Sequence, residues 1–174
     1  MSLDLEQHLT FYGAYHHNSI NIAIHMVCVP LILTSAFCMA TYTGTLIPHH
    51  PGSPSPIWNS TLPFAGFLLA AFCMGGAAFG NYLRQQSPET TFQGALALHV
   101  VCWIFQFIGH GKFEGRAPAL LDNLIQAIFL APMFVWLEML FKLGYRPELQ
   151  ARVNKKVQVE IEKFKAKAKN GKAQ

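Results

Sequence analysis

Charged residues are scarce in this 174-residue sequence. Asp, Glu, Lys and Arg make up 13% of the chain, about half the share that is typical of soluble domains. Hydrophobic residues make up 52%, and the mean hydropathy is positive. This composition argues against the alternative of a soluble helical bundle with buried helices, and it favours a chain surrounded by lipid.

The cysteines lack the paired spacing of a structural site. Cys28, Cys38, Cys73 and Cys102 all lie in apolar segments, far apart in the sequence. Zinc sites and disulfide frameworks bring cysteines together at short, regular intervals. Both are therefore excluded, and we expect four free thiols in apolar surroundings.

Four apolar segments carry the hydrophobic excess. They cover residues 20–42, 62–82, 95–109 and 119–141. A helix needs about 20 apolar residues to cross a bilayer, so the first two segments qualify directly. The third is short unless the preceding "TTFQG" belongs to it. The sequence therefore predicts an all-α fold, a polytopic membrane helical bundle with about four transmembrane helices.

Positive charge is concentrated at the C-terminus. From Lys142 onward there are ten Lys and Arg residues against three Glu, whereas residues 43–61 contain no charged residue. Because positive charge stays on the cytoplasmic side, four spans would place both termini in the cytosol. We expect a membrane-embedded domain that carries any catalytic site (residues 1–147) and a basic cytosolic tail (residues 148–174) that lies near anionic headgroups. The tail lacks interleaved aromatic residues, so we expect no nucleic-acid binding.

Five histidines lie in or beside the apolar segments. An ionisable side chain in hydrocarbon costs free energy and is by default a candidate for function. A single such histidine is often explained by packing and a hydrogen bond, but five together favour a site. If the first span starts near Asn18 and the third near Phe92, helical rise puts His25 and His99 at the same depth, about 11 Å into their spans. The five are His16, His17, His25, His99 and His110.

The stretch "FIGHGKFEGRAPAL" (residues 107–120) interrupts the apolar pattern with charge and glycine. Glycines permit backbone turns and Pro118 closes the stretch, so we expect a re-entrant turn that carries His110 inward. Straight helices would not bring all five rings to one ion. The alternative is an ordinary loop between helices whose charges contact headgroups. In the re-entrant form, a polar pocket would be lined by Lys112, Glu114 and Arg116.

A histidine-rich site with few carboxylates and no thiolates suits iron or zinc. Neutral imidazoles bind both metals well. Zinc in such a site would favour hydrolysis, and iron would favour chemistry with O₂. The residue types alone leave both open.

Two sequence blocks resemble a known family. "FYGAYHHNSINIAIH" followed by "PLIL", and then "WIFQFIGHGKFEGRAPALLDNLIQAIFLAP", are similar to the family of small membrane proteins typified by the fungal 2-hydroxy fatty acid dioxygenase of the endoplasmic reticulum. The resemblance extends from about residue 8 to residue 147. It implies an endoplasmic reticulum membrane enzyme that uses Fe²⁺ in α-oxidation, on 2-hydroxy fatty acids left from phytosphingosine breakdown.

The resemblance also implies where the iron binds. The family's histidine positions fall on His16, His17, His25 and His110, and His99 is added by its depth. Since neighbouring residues on a helix point about 100° apart, we predict that the two adjacent histidines have different roles. The predicted iron ligands are His17, His25, His99 and His110. The predicted catalytic residues are Glu114 and His16, and His16 would act as an orienting group. The predicted substrate-binding residues are Lys112 and Arg116.

The implied chemistry is consistent with these residues. A 2-hydroxy acid can bind Fe(II) through its hydroxyl and carboxylate, and cleavage between C1 and C2 by O₂ leaves an acid one carbon shorter. A cationic side chain would neutralise the carboxylate, and the acyl chain would enter from the bilayer. Two other function classes stay open: a histidine-metal membrane lipid hydrolase or hydroxylase with the same pocket, and a non-enzymatic membrane adaptor whose tail recruits partners.

Overall fold

The computed structural model describes residues 5–43, 63–115 and 124–171. Within these ranges the chain is helical, with no strand, which confirms the predicted all-α fold. The described residues form six α-helices. They are α1 (Leu5–Tyr15), α2 (Ser19–Ala40), α3 (Pro63–Gln86), α4 (Pro88–Ile108), α5 (Leu124–Lys142) and α6 (Pro147–Gly171), with a 3₁₀ turn after α2 (Thr41–Thr43) and a π-helix after α4 (Gly109–Glu114).

Three segments of the described residues are long and apolar enough to cross a membrane. They are Ser19–Thr43, Gly66–Gln86 and Pro88–Glu114. The third is longer than the apolar run of the sequence because α4 starts at Pro88, so that "TTFQG" does belong to it. The predicted fourth span overlaps α5, but residues 119–123 lie outside the described ranges. The predicted number of four transmembrane helices therefore remains a prediction, while the three described segments support a membrane protein.

The re-entrant turn that the glycines suggested is not confirmed. Residues 109–114 follow directly on α4 as a π-helix and form no turn. The helix ends at Gly115, which has a left-handed φ of 62° that a residue without a Cβ adopts readily. The predicted turn extended to Pro118, and residues 116–118 lie outside the described ranges.

The chain divides into two compact units. One comprises Met1–Met26 and Phe107–Gln174, and the other Val27–Gln106. In the second unit, α3 approaches α2 closely through glycines. A Cβ at Gly80 would lie 3.2 Å from the Cα of Cys38. At the end of α2, the Arg84 guanidinium donates to the carbonyl oxygen of Thr41, which satisfies one of the carbonyls that a helix terminus leaves unpaired.

In the first unit, α6 packs against α1. Its buried side chains recur every fourth residue along one face of the helix, and they are Val153, Val157 and Ile161. Gly13 of α1 permits this approach, since a Cβ there would lie 2.7 Å from a methyl group of Val157. The Glu6 carboxylate forms ion pairs with Lys156 at 2.9 Å and with Arg152 at 3.5 Å. The hydrogen bond from Lys156 is the main reason why the pKa of Glu6 lies below its usual range. The basic C-terminal region thus packs against α1 as a helix.

Candidate metal centre

Three histidine rings meet in the first unit, from three different elements. His16 follows α1, His25 lies in α2 and His110 lies in the π-helix. The ring centroids are 4.3 Å apart for His16 and His25, 4.8 Å for His16 and His110, and 4.9 Å for His25 and His110. One nitrogen of each ring lies within 4.8 Å of the other two, so the three could bind one metal ion.

Two of the rings are fixed by the same local motif. The Nδ1 of His16 lies 2.9 Å from the carbonyl oxygen of Tyr12, and the Nδ1 of His25 lies 2.9 Å from that of Asn21. A carbonyl oxygen only accepts hydrogen bonds, so Nδ1 carries the proton in each ring and Nε2 keeps a free lone pair. A hydrogen bond of this kind on the far nitrogen is the usual way in which proteins orient a metal-binding histidine.

The His16 ring is also held from the side. It stacks on the Tyr12 ring at a centroid distance of 4.0 Å, and Tyr12 in turn contacts Phe134 of α5 at 4.9 Å. Burial lowers the pKa of His16 well below its usual range, and the neighbouring His25 lowers it further. The ring is therefore neutral at neutral pH, which is the form that binds metals.

His110 completes the group with a buried nitrogen that has no hydrogen-bond partner among the described residues. Its side chain is almost fully buried, and the unpaired atom is Nδ1. A buried polar atom without a partner costs free energy unless a ligand or water satisfies it. This orphaned nitrogen, beside two rings with free Nε2 atoms, fits a bound metal ion.

The π-helix approaches α2 closely at Gly109. A Cβ on this residue would overlap the side-chain oxygen of Asn21, and Asn21 is completely buried. Only glycine therefore allows the backbone next to His110 to pack directly against the helix that bears His25.

Glu114 ends the π-helix with a side chain that is fully buried. Its Oε1 accepts hydrogen bonds from the backbone N–H groups of His17 and Asn18, both at 2.8 Å, and from Nδ2 of Asn21 at 3.1 Å. Its Oε2 lies 2.5 Å from Nδ1 of His17. The carboxylate therefore lies at the N-terminus of α2, where the helix dipole favours negative charge.

Two predicted ligands lie outside this group of three. His17 is partly exposed and its ring contacts Glu114, whereas its neighbour His16 joins the cluster. His99 lies in the second unit, where both ring nitrogens have partners: Ser35 Oγ lies 2.9 Å from its Nδ1, and the Trp103 indole N–H donates to its Nε2 at 3.0 Å. Since the Ser35 hydroxyl donates to a backbone carbonyl, it accepts from His99.

The predicted substrate-binding residues are only partly described. Lys112 is exposed, with its ammonium 5.8 Å from the centre of the Phe113 ring. Arg116 lies outside the described ranges. Their role at a carboxylate stays a prediction.

Tyr12 and Asn21 are site residues that the sequence reasoning missed. Each precedes a clustered histidine by four residues, the spacing at which a helical side chain reaches the carbonyl of the preceding turn. Asn21 is also a polar residue near the start of the first apolar segment. The spacing could have identified both residues, and the polarity could have identified Asn21.

Comparison with known proteins agrees with the resemblance of the two sequence blocks. The family model described as "2-hydroxy-palmitic acid dioxygenase Mpo1-like" matches residues 2–143. The 2-hydroxy-palmitic acid dioxygenase MPO1 of Saccharomyces cerevisiae is 38% identical over 166 residues, which cover 90% of this chain and 91% of the yeast protein. No solved structure matches the chain.

Proposed function

The chain belongs to the Mpo1-like family, and on that ground we propose that it is an Fe(II)-dependent dioxygenase. The proposed reaction cleaves a 2-hydroxy long-chain fatty acid between C1 and C2 and leaves an acid one carbon shorter. One O₂ per substrate balances this reaction, with C1 leaving as CO₂ together with one water. In fatty acid α-oxidation, this step would follow the breakdown of phytosphingosine to a 2-hydroxy fatty acid.

The observation that carries the proposal is the convergence of His16, His25 and His110. We propose that these three rings hold the iron, because each has a ring nitrogen free to bind it. Among the described residues, the group contains only histidines, with no thiolate or carboxylate. Iron bound there would supply the one-electron chemistry that O₂ requires in order to react with the substrate.

The chain itself would orient and enclose the reactants. The carbonyls of Tyr12 and Asn21 fix two of the rings, and the side chains of His25 and His110 are buried. We propose that Lys112 or Arg116 neutralises the substrate carboxylate. Apolar side chains of the spans would accommodate the acyl chain, so that the substrate enters from the bilayer.

The test is an assay of the purified protein with 2-hydroxypalmitate. We expect iron at about one atom per chain, O₂ uptake equal to the substrate consumed, and a product one carbon shorter by mass spectrometry. Palmitate and 3-hydroxypalmitate serve as controls and should give neither O₂ uptake nor product. Three histidines also suit a catalytic zinc; zinc without O₂ uptake would indicate a hydrolase, and a product of unchanged carbon count a hydroxylase.

We further propose a multi-pass protein of the endoplasmic reticulum membrane with both termini in the cytosol. The basic C-terminal region supports this orientation through the positive-inside rule. In sealed microsomes, added protease should therefore remove epitopes attached to either terminus, while a lumenal marker protein stays intact. Protection of the C-terminal epitope would contradict the orientation, and protection of the N-terminal epitope alone would indicate an odd number of spans.

A further inference from the structure

We infer that Glu114 is a positioning residue, which sets the spacing of the three histidines by tying the π-helix to the N-terminus of α2. The inference rests on the proposed metal site and deepens it. It assigns Glu114 no contact with the substrate.

The carboxylate joins two elements that each carry one of the clustered rings. Glu114 follows His110 by four residues in the π-helix, and Asn21 precedes His25 by four residues in α2. The hydrogen bond from Asn21 Nδ2 to Glu114 Oε1 therefore connects the ends of these two turns. Because the backbone oxygen of the same Asn21 lies 2.9 Å from His25 Nδ1, the connection reaches the ring itself.

The third histidine is attached through the chain that links α1 to α2. The N–H groups of His17 and Asn18, which directly follow His16, both donate to Glu114. Asn18 also caps the start of α2, with its side-chain oxygen accepting the N–H of Ile20 at 2.9 Å. Four contacts on one buried carboxylate thus fix the backbone on either side of the cluster.

These contacts depend on the reach of the side chain more than on its charge. Glutamine has the same length, its Oε1 can accept the same three hydrogen bonds, and its amide can donate to a neutral His17 ring. Aspartate keeps the charge but withdraws the carboxylate by one carbon–carbon bond, about 1.5 Å. A positioning role therefore predicts that Glu114→Gln is the milder change and Glu114→Asp the more severe one.

The experiment measures metal affinity on purified full-length variants. Co(II) serves as the probe, because its visible absorption reports both binding and coordination geometry. We expect Glu114→Asp to weaken binding about 10- to 100-fold, as the loss of groups that orient metal ligands does, with an altered spectrum. Glu114→Gln should keep the wild-type spectrum and most of the affinity.

A matched control is available at Glu89, in the first turn of α4. It is exposed and makes a hydrogen bond to Gln93, so Glu89→Asp and Glu89→Gln should leave Co(II) binding unchanged. Wild-type affinity in Glu114→Asp, or a greater loss in Glu114→Gln than in Glu114→Asp, would overturn the inference. If Glu114→Asp does not fold, Asn21→Ala provides the test, since it removes only the hydrogen bond from the Asn21 side chain to Glu114. Weakened Co(II) binding in Asn21→Ala would support the positioning role, and unchanged binding would refute it.

The same preparations separate this inference from the proposed function. A wild-type protein that binds metal but leaves 2-hydroxypalmitate unchanged would refute the dioxygenase and leave the positioning role standing. Full metal affinity in Glu114→Asp, in a protein that does turn over 2-hydroxypalmitate, would refute the positioning role alone.

Discussion

His25→Ala and His110→Ala are each expected to lose bound iron and turnover together. Both rings are almost completely buried in the cluster, and a site with three protein ligands that loses one retains too few to compete for iron at cellular concentrations. Activity should fall below about 1% of the wild type, which corresponds to a loss of roughly 3 kcal/mol in transition-state stabilisation. Iron stoichiometry and conversion of 2-hydroxypalmitate, measured on the same purified protein, provide the test.

The adjacent histidines sharpen this experiment. His16→Ala should behave like the other two variants, whereas His17→Ala should retain most of its iron, because the His17 ring contacts Glu114 and lies outside the cluster. His99→Ala is the matched control within a span, since its ring nitrogens are already satisfied by Ser35 and Trp103. Full iron in both His25→Ala and His110→Ala would mean that the proposed centre does not exist.

The directions of His16 and His17 do not follow from the sequence alone. Neighbouring residues point about 100° apart only within a helix, but α1 ends at Tyr15 and α2 begins at Ser19. The two histidines lie in the link between them, where their directions depend on backbone contacts to Glu114, a residue 97 positions away from His17. No helical pattern contains that information.

The helices themselves were more predictable than the site. Long apolar runs located α2 and α3, because a bilayer requires about 20 apolar residues in a row. The start of α4 could also have been read from Pro88 followed by Glu89, since proline and acidic residues favour the first turn of a helix. The π-helix has no comparable signal: glycine allows many conformations, and contacts with α2 select this one.

The C-terminal region changes how the adaptor hypothesis can be tested. Deletion of the tail would be a clean test only for a tail that lies free in the cytosol. Since α6 packs on α1 through Val153, Val157 and Ile161, deletion would also remove support from the helix that precedes His16. Charge reversal at exposed lysines such as Lys155 and Lys165 leaves that packing in place. It therefore tests whether the tail recruits partners without disturbing the fold.

Gly109→Ala is expected to have the second-largest effect, although it adds one methyl group. The new Cβ would overlap the Asn21 side-chain oxygen, and Asn21 cannot withdraw easily because it is fully buried and donates to Glu114. Overpacking of this kind costs about 1–3 kcal/mol. Since the displaced backbone adjoins His110, iron affinity should fall together with the thermal unfolding midpoint, measured by intrinsic fluorescence in detergent.

The neighbouring glycine is the control, because Gly111 belongs to the same π-helix but has no described atom within 4 Å of the position that an alanine Cβ would take. Gly111→Ala should therefore keep iron, activity and the unfolding midpoint, or raise the midpoint slightly through the higher helix propensity of alanine. A double-mutant cycle identifies the colliding group: Gly109→Ala should cost less in an Asn21→Ala background than in the wild type. Equal costs in the two backgrounds, or equal behaviour of the two glycine variants, would show that the close approach at Gly109 does not shape the site.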